Sequence, residues 1–541
     1  VLATTGSALA LLLAAFGPRA DSVPLYKDHG KYGRAGVGAR HSKAQAYFNQ
    51  GLRLLYAFNH EDAIRSFNEA IRLSPDCAIC YWGVAYALGP HINAGMDSAT
   101  GVVAYQMTNK AVGLMMTALP VEAALIDALR YRYVPVPAAD RKRLDEQYAN
   151  AMARASHRFP DDPDVSTLYA EALMDQQPWN YWDRATGEPY DIAVTAQPLL
   201  ERVIKKYPDH PGACHLYIHL MEAVAPEKAV PCAERLASLM PGAGHIVHMP
   251  AHIYIRVGRY ADAITANEHA VHQDEVYIEG QHPFGFGVYK VAYVPHNMHF
   301  LALAATLAGR SAQAIEAAQR TAAMTSVDVV KRMPPAEPYL HYRFLTLVTF
   351  GRWDDVLALP RPPADLPYSH AMAQYARGVA FAAKGDFAQA QAALDTLKQI
   401  GTGGMAPYSS AGWTTPATNI EIAQHALMGE IAARSGKFDD AVAHFTAAMK
   451  IEDQQLYTEP PDWYYPIRHS LGAALLKAGK PADAEQRYRE DLKRFPENGW
   501  SLFGLAQALR AQNKGDDAAA VEARFQKAWA TADVTLIASR F

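Results

Sequence analysis

A six-residue turn that recurs along the chain most constrains what it can fold into. It reads GRYADA at 258–263, GRSAQA at 309–314, GRWDDV at 351–356, GDFAQA at 385–390, GKFDDA at 436–441, GKPADA at 479–484 and KGDDAA at 514–519. Each copy joins the end of one helical pattern to the start of the next, with glycine as the stop signal. The copies lie 34 to 51 residues apart, so one helical hairpin repeats and the surplus residues form loops between repeats. The longest such loops are expected around 176–193, 272–294, 326–336 and 400–418. Strand signals are nearly absent, and helix-forming Ala and Leu dominate.

Residues 44–77 resemble a tetratricopeptide repeat. Tyr47 stands at position 4, Gly51 at 8, Ala63 at 20, Phe67 at 24, Ala70 at 27 and Pro75 at 32. The physics agrees: small residues let two antiparallel helices approach, aromatics fill the gap between them, and proline ends the second helix. The resemblance implies an all-α fold, a right-handed superhelical solenoid of about ten helical hairpins with inserted loops. The expected divisions are a signal peptide at 1–20, an N-terminal extension at 21–43, N-terminal hairpins at 44–162, His-rich hairpins at 163–325 and C-terminal hairpins at 326–541.

Composition narrows the partners. The chain has 541 residues with 51 basic and 55 acidic side chains, a net charge of −4. Nucleic acid or an anionic membrane surface as main partner would need a clear basic excess. Residues 1–16 (VLATTGSALALLLAAF) are too short a run to span a bilayer and resemble the apolar core of a secretory signal, without its basic start. No later run is long enough for a membrane span, so the expected localisation is periplasmic or secreted. Export permits disulfides among the four cysteines. Cys77 and Cys80 form a C-x-x-C that lacks the following histidine of a haem site, and a local disulfide or two packed thiols is expected there.

Ten of the 21 histidines fall between 211 and 300, and they keep time with the repeat. Counting from the turn alanines places His215, His248, His299 and His341 at position 5 of consecutive repeats. His219 and His252 fall at position 9, His245 and His296 at position 2, and Glu222 at 12. In the tetratricopeptide family these positions line the concave groove, and the resemblance implies the same here. His215, His219 and Glu222 are spaced i, i+4 and i+7, so they share one helical face. Two imidazoles and a carboxylate on one face suit Zn, Fe, Mn or Cu. His215, His219, His248 and His252 form the expected core, His296, His299, Glu222 and Glu171 are the candidate further ligands or outer partners, and Glu171 or Asp175 is the candidate general base.

Other residues are expected to line the groove or bind substrate: His245, Arg256, His341, and Trp179 and Trp182 in loop 176–193. Cys214 and Cys232, at positions 4 and 23 of one repeat, face each other across a hairpin and are a possible disulfide. Segments such as CAICYWGVAYALGP (77–90), PGAGHIVHMPAHIYIRVGRY (241–260) and PENGWSLFGLAQALR (496–510) also resemble a group of secreted bacterial tetratricopeptide proteins, a resemblance that brings no assigned reaction. His91 stands where that group is expected to carry asparagine and receives less weight.

Two functions follow as expectations. One is a periplasmic or secreted solenoid with a His/carboxylate transition-metal site in its groove, able to act on a small molecule or peptide there. The other is a metal-free scaffold that binds a peptide or protein partner. The sequence contains no G-x-S-x-G, P-loop, dinucleotide fingerprint or HExxH.

Overall fold

The protein was analysed as a computed structural model that describes residues 23–34, 42–136, 140–281, 287–403 and 416–541. The expected signal peptide lies outside these residues, as do parts of the 272–294 and 400–418 loops. Among the described residues the fold is all α-helical, with two isolated bridges, His91 with Ala94 and Trp182 with Pro189, in place of a sheet. Among the described residues no helix is long and apolar enough to cross a membrane. The chain divides into two compact units: Val1–Pro250 with His272–Tyr289, and Ala251–Val271 with Lys290–Phe541.

The first unit is a stack of antiparallel helix pairs. They are Ser42–Tyr56 with His60–Leu73, Ala78–Ala87 with Ser98–Leu114, Pro120–Leu129 with Arg141–Arg158, Pro163–Met174 with Asp191–Lys206, and Pro211–Met221 with Pro226–Leu239. Local chemistry sets the starts. Asp97 and Asp162 accept hydrogen bonds from backbone N–H groups of the first turns they cap, and proline opens Pro163–Met174, Pro211–Met221 and Pro226–Leu239. The repeat pattern read at 44–77 governs the packing. Ala63, Phe67 and Ala70 are fully buried. A Cβ on Gly51 or Gly83 would meet the Phe67 ring at 2.6–2.7 Å, so only glycine allows these helices to close on that aromatic. Cys77 and Cys80 are joined by a disulfide.

Residues 23–34 of the expected N-terminal extension run along this unit as an irregular strap. Two buried acids anchor it: Tyr26 donates to Asp62 at 2.6 Å and Tyr32 donates to Asp164 at 2.7 Å.

In the second unit, Val294–Leu307 pairs with Ser311–Met324, Pro367–Ala383 with Phe387–Thr402, Pro416–Arg434 with Phe438–Gln454, Ile467–Lys477 with Pro481–Arg494, and Gly499–Ala511 with Gly515–Ala528. The recurrent turn glycines adopt the left-handed conformation their role demands, with φ from 66° at Gly351 to 80° at Gly385. This unit closes on itself. The Trp500 indole donates to the Thr306 carbonyl at 2.9 Å, the Tyr260 hydroxyl donates to the Pro496 carbonyl at 2.7 Å, and Asp533 accepts from the backbone N–H groups of Ser311 and Ala312.

A candidate metal centre in the first unit

Helix Pro211–Met221 carries the core of the site. His215 and His219 are four residues apart and Glu222 caps the helix end, so all three fall on one face as the spacing requires. The His215 Nδ1 donates to the Tyr56 carbonyl at 2.7 Å. A carbonyl only accepts, so this nitrogen carries a proton and the neutral ring's Nε2 is unprotonated. The His219 Nδ1 lies 2.9 Å from Glu222 Oε1, and donation to the carboxylate makes the neutral ring's Nε2 an acceptor as well. The two Nε2 atoms face each other at 3.1 Å. Two lone pairs at that separation repel unless a proton or a cation lies between them.

A third imidazole joins the pair. His215, His219 and His245 each offer a ring nitrogen, and the three nitrogens lie within 4.8 Å of one another. His245, expected as a groove residue, thus stands beside the two candidate ligands. The His248 ring stacks 5.6 Å from that of His245.

These rings do not line an open groove, as the repeat phase had implied. His215, His219, His245 and His248 are 0–3 % exposed. The cover comes from a repeat turn and an inserted loop. Phe58, in the turn between the first two helices, lies 4.4 Å from His215, ring centre to ring centre. Trp179, from loop 176–193, meets His219 edge-on at 5.0 Å. The same loop is tied down by the Trp179 indole donating to Asn93 and the Trp182 indole donating to the Leu220 carbonyl. Phe58 and Trp179 both hold positive φ, 56° and 63°. A left-handed backbone costs a residue with a Cβ about 1–2 kcal/mol, so two strained aromatics at one cluster mark a place where packing overrides backbone preference.

Sequence reasoning missed Phe58 and His60 and discounted His91. His60 and His91 stack at 4.4 Å, and the His91 ring lies 5.1 Å from Phe58. Burial, followed by the Arg132 charge, pushes the His60 imidazole down to about 4, so it is neutral at pH 7. The signal was present in the sequence, since Phe58 occupies the place that glycine holds in the later turns.

The candidate bases Glu171 and Asp175 sit in the same unit with partners of their own. Glu171 accepts from the Tyr86 hydroxyl at 2.7 Å, and Asp175 pairs with Arg132 at 2.7 Å with both side chains almost fully buried. Burial raises both carboxyls, and Asp175 is raised further by the neighbouring Glu171 charge. The Arg132 guanidinium lies against the Tyr86 and Tyr148 rings, at 5.0 and 4.6 Å.

Other candidate ligands and groove residues belong to the second unit. There, His252 lies 5.9 Å from His296 and 4.4 Å from Phe300, while His299 packs edge-on against Tyr342 at 3.9 Å. His341 contacts Ser369 and the Tyr368 ring. The Arg256 guanidinium lies over Tyr457 and Phe495. Cys214 and Cys232 correct an expectation: they are buried, unlinked thiols in hydrogen-bond contact rather than a disulfide. Facing positions across the hairpin brought the sulfurs together as thiols, without a bond between them.

Comparison with known proteins agrees with the architecture. Models of the tetratricopeptide repeat match residues 44–77 and 469–533. No curated protein matches the chain in sequence. Solved structures of similar arrangement include a human IFIT1 dimer with m7Gppp-AAAA (12% identity, covering 83% of this chain and 90% of that one, TM-score 0.34). Another is a human IFIT1 dimer with PPP-AAAA (12% identity, covering 91% of each chain, TM-score 0.33). Similarity at this level does not bear on function. The chain thus carries tetratricopeptide repeats at 44–77 and 469–533, within two units of paired helices.

Proposed function

We propose that the first unit holds a transition-metal ion on His215, His219 and His245, with Glu222 orienting His219. The observation that carries this is the 3.1 Å approach of two Nε2 atoms whose rings already use their Nδ1 atoms as donors. Two imidazoles bound at about 2.0–2.1 Å in tetrahedral to octahedral angles place their nitrogens roughly 2.8–3.4 Å apart. A backbone carbonyl on one ring and a carboxylate on the other are the outer partners that metal-bound histidines commonly use. A shared proton would also relieve the pair, but it would not account for the third nitrogen. Three imidazoles suit Zn, Cu or Fe, and the carboxylate behind them is compatible with Mn.

The tetratricopeptide scaffold is compatible with peptide or protein binding, and such a partner would have to sit away from these buried rings. Glu171 and Asp175 already serve Tyr86 and Arg132, so a base role for either is a separate claim, checked by whether Glu171→Gln abolishes a metal-dependent activity. The Cys77–Cys80 disulfide supports placement in an oxidising compartment, in line with a secreted or periplasmic protein.

The test is elemental analysis of tag-free protein, as purified and after reconstitution with Zn, Cu, Fe and Mn, beside a His215→Ala/His219→Ala variant. Near-stoichiometric metal in the parent and none in a folded variant is expected. If the parent retains no metal under any of these conditions, the reading fails and the Nε2 pair shares a proton.

A further inference from the structure

Eight turns of one geometry place a residue in the left-handed region five positions before the buried small residue of the next helix. Six use glycine: Gly258, Gly309, Gly351, Gly385, Gly436 and Gly479, with φ of 66–80°. One uses Asn513, at φ 60°, a residue type that tolerates this region. The eighth uses Phe58, at φ 56°. The backbone pattern is the same in each. Phe58 N–H donates to the Leu55 carbonyl at 3.0 Å and Asn59 N–H to Leu54 at 2.9 Å, just as Gly258 N–H donates to Ile255 at 3.2 Å and Arg259 N–H to Tyr254 at 2.7 Å. The turn therefore needs no side chain at this position, and a phenyl group there must be explained by what it touches.

It touches imidazoles. The Phe58 ring centre lies 4.4 Å from His215, 5.1 Å from His91, 5.8 Å from His60, 5.8 Å from His245 and 6.3 Å from His219, where the two rings are within 6° of parallel. All three proposed ligands are among them. The same turn supplies the Tyr56 carbonyl that fixes the His215 tautomer at 2.7 Å. Trp179, the other aromatic held at positive φ, meets His219 edge-on at 5.0 Å. A rigid ring wedged between imidazoles limits their rotation and keeps water off them, whereas a flexible aliphatic of similar bulk leaves the rings freer to turn.

We infer that Phe58 is a positioning residue of the metal centre: its ring, held in a strained turn where glycine would suffice, sets the orientations of His215, His219 and His245. The inference rests on the metal reading above.

The test uses the full chain, with Co2+ as a spectroscopic probe and Zn2+ competition for affinity, in the parent, Phe58→Leu and Phe58→Gly. Phe58→Gly removes the ring and the backbone strain together, and Phe58→Leu keeps bulk should the glycine variant fail to fold. The expected result is a folded variant, by far-UV circular dichroism, with a visible Co2+ spectrum unlike the parent's and metal affinity lowered about 10- to 100-fold. A merely structural role would lower the melting temperature and leave the spectrum unmoved. A folded variant with the parent's spectrum and affinity overturns the positioning role while the metal reading stands. A parent that binds neither Co2+ nor Zn2+ overturns the metal reading, and the positioning role falls with it.

Discussion

Glu222 follows His219 by one helical turn, and its carboxylate receives the Nδ1 hydrogen bond at 2.9 Å in a fully buried setting. That contact does two things to the imidazole. It selects the tautomer whose Nε2 is unprotonated, and it raises the basicity of that nitrogen. Glu222→Gln keeps the shape and an acceptor oxygen but removes the charge. Zinc affinity, measured by chelator competition, is expected to fall about 10- to 100-fold, with the circular dichroism spectrum unchanged. Unaltered affinity would mean that Glu222 serves the fold and not the metal. His215 offers no equivalent handle, because its partner is the Tyr56 backbone carbonyl.

At the scale of elements, the helices Val294–Leu307 and Glu337–Thr349 each bury a histidine among tyrosines. Burial pushes the His299 imidazole down to about 3, and burial with the nearby His299 does the same to His341. The sign of the pH dependence follows. Above the ordinary value of 6.5 both rings are neutral whether the chain is folded or not, so they impose no penalty. Below it the unfolded chain takes up protons that the folded chain refuses until about pH 3, and stability drains away across that window. Between pH 7 and 5 the loss is on the order of 1–2 kcal/mol per group. Urea titrations at the two pH values measure it, and His341→Leu is expected to flatten the slope. A slope unchanged in that variant would assign the acid sensitivity to other groups.

At the scale of the whole molecule, the two units are distinct, and the second departs from an open repeat array. In an open solenoid each repeat touches only its neighbours, so damage stays local. Here Trp500, almost fully buried, bonds back across nearly 200 residues of chain to Thr306, and Asp533 caps the helix that starts at Ser311. Trp500→Ala is expected to cost about 3–5 kcal/mol. It should also raise hydrogen exchange in residues 294–312 together with 499–511. Protection lost only in the second stretch would show that the closure contributes little.

Much of this was legible in the chain because it is set by local geometry. The turn glycines and the small residues around Phe67 follow from backbone conformation and close helix packing within one hairpin. So does the grouping of His215, His219 and Glu222, since i, i+4 and i+7 share a face wherever a helix forms. What the helical period cannot carry is which residues from distant segments meet that face. Phe58, Trp179 and the Tyr56 carbonyl reach His215 and His219 from other hairpins and loops, and His91 packs on Phe58. The same packing turned an expected open groove into a buried cluster, brought a His245 ring nitrogen beside those of His215 and His219, and left Cys214 and Cys232 as thiols. By itself the sequence determined the repeat and the face on which the histidines stand. The tertiary structure decided their tautomers, their burial and their company, because those depend on contacts between residues far apart along the chain.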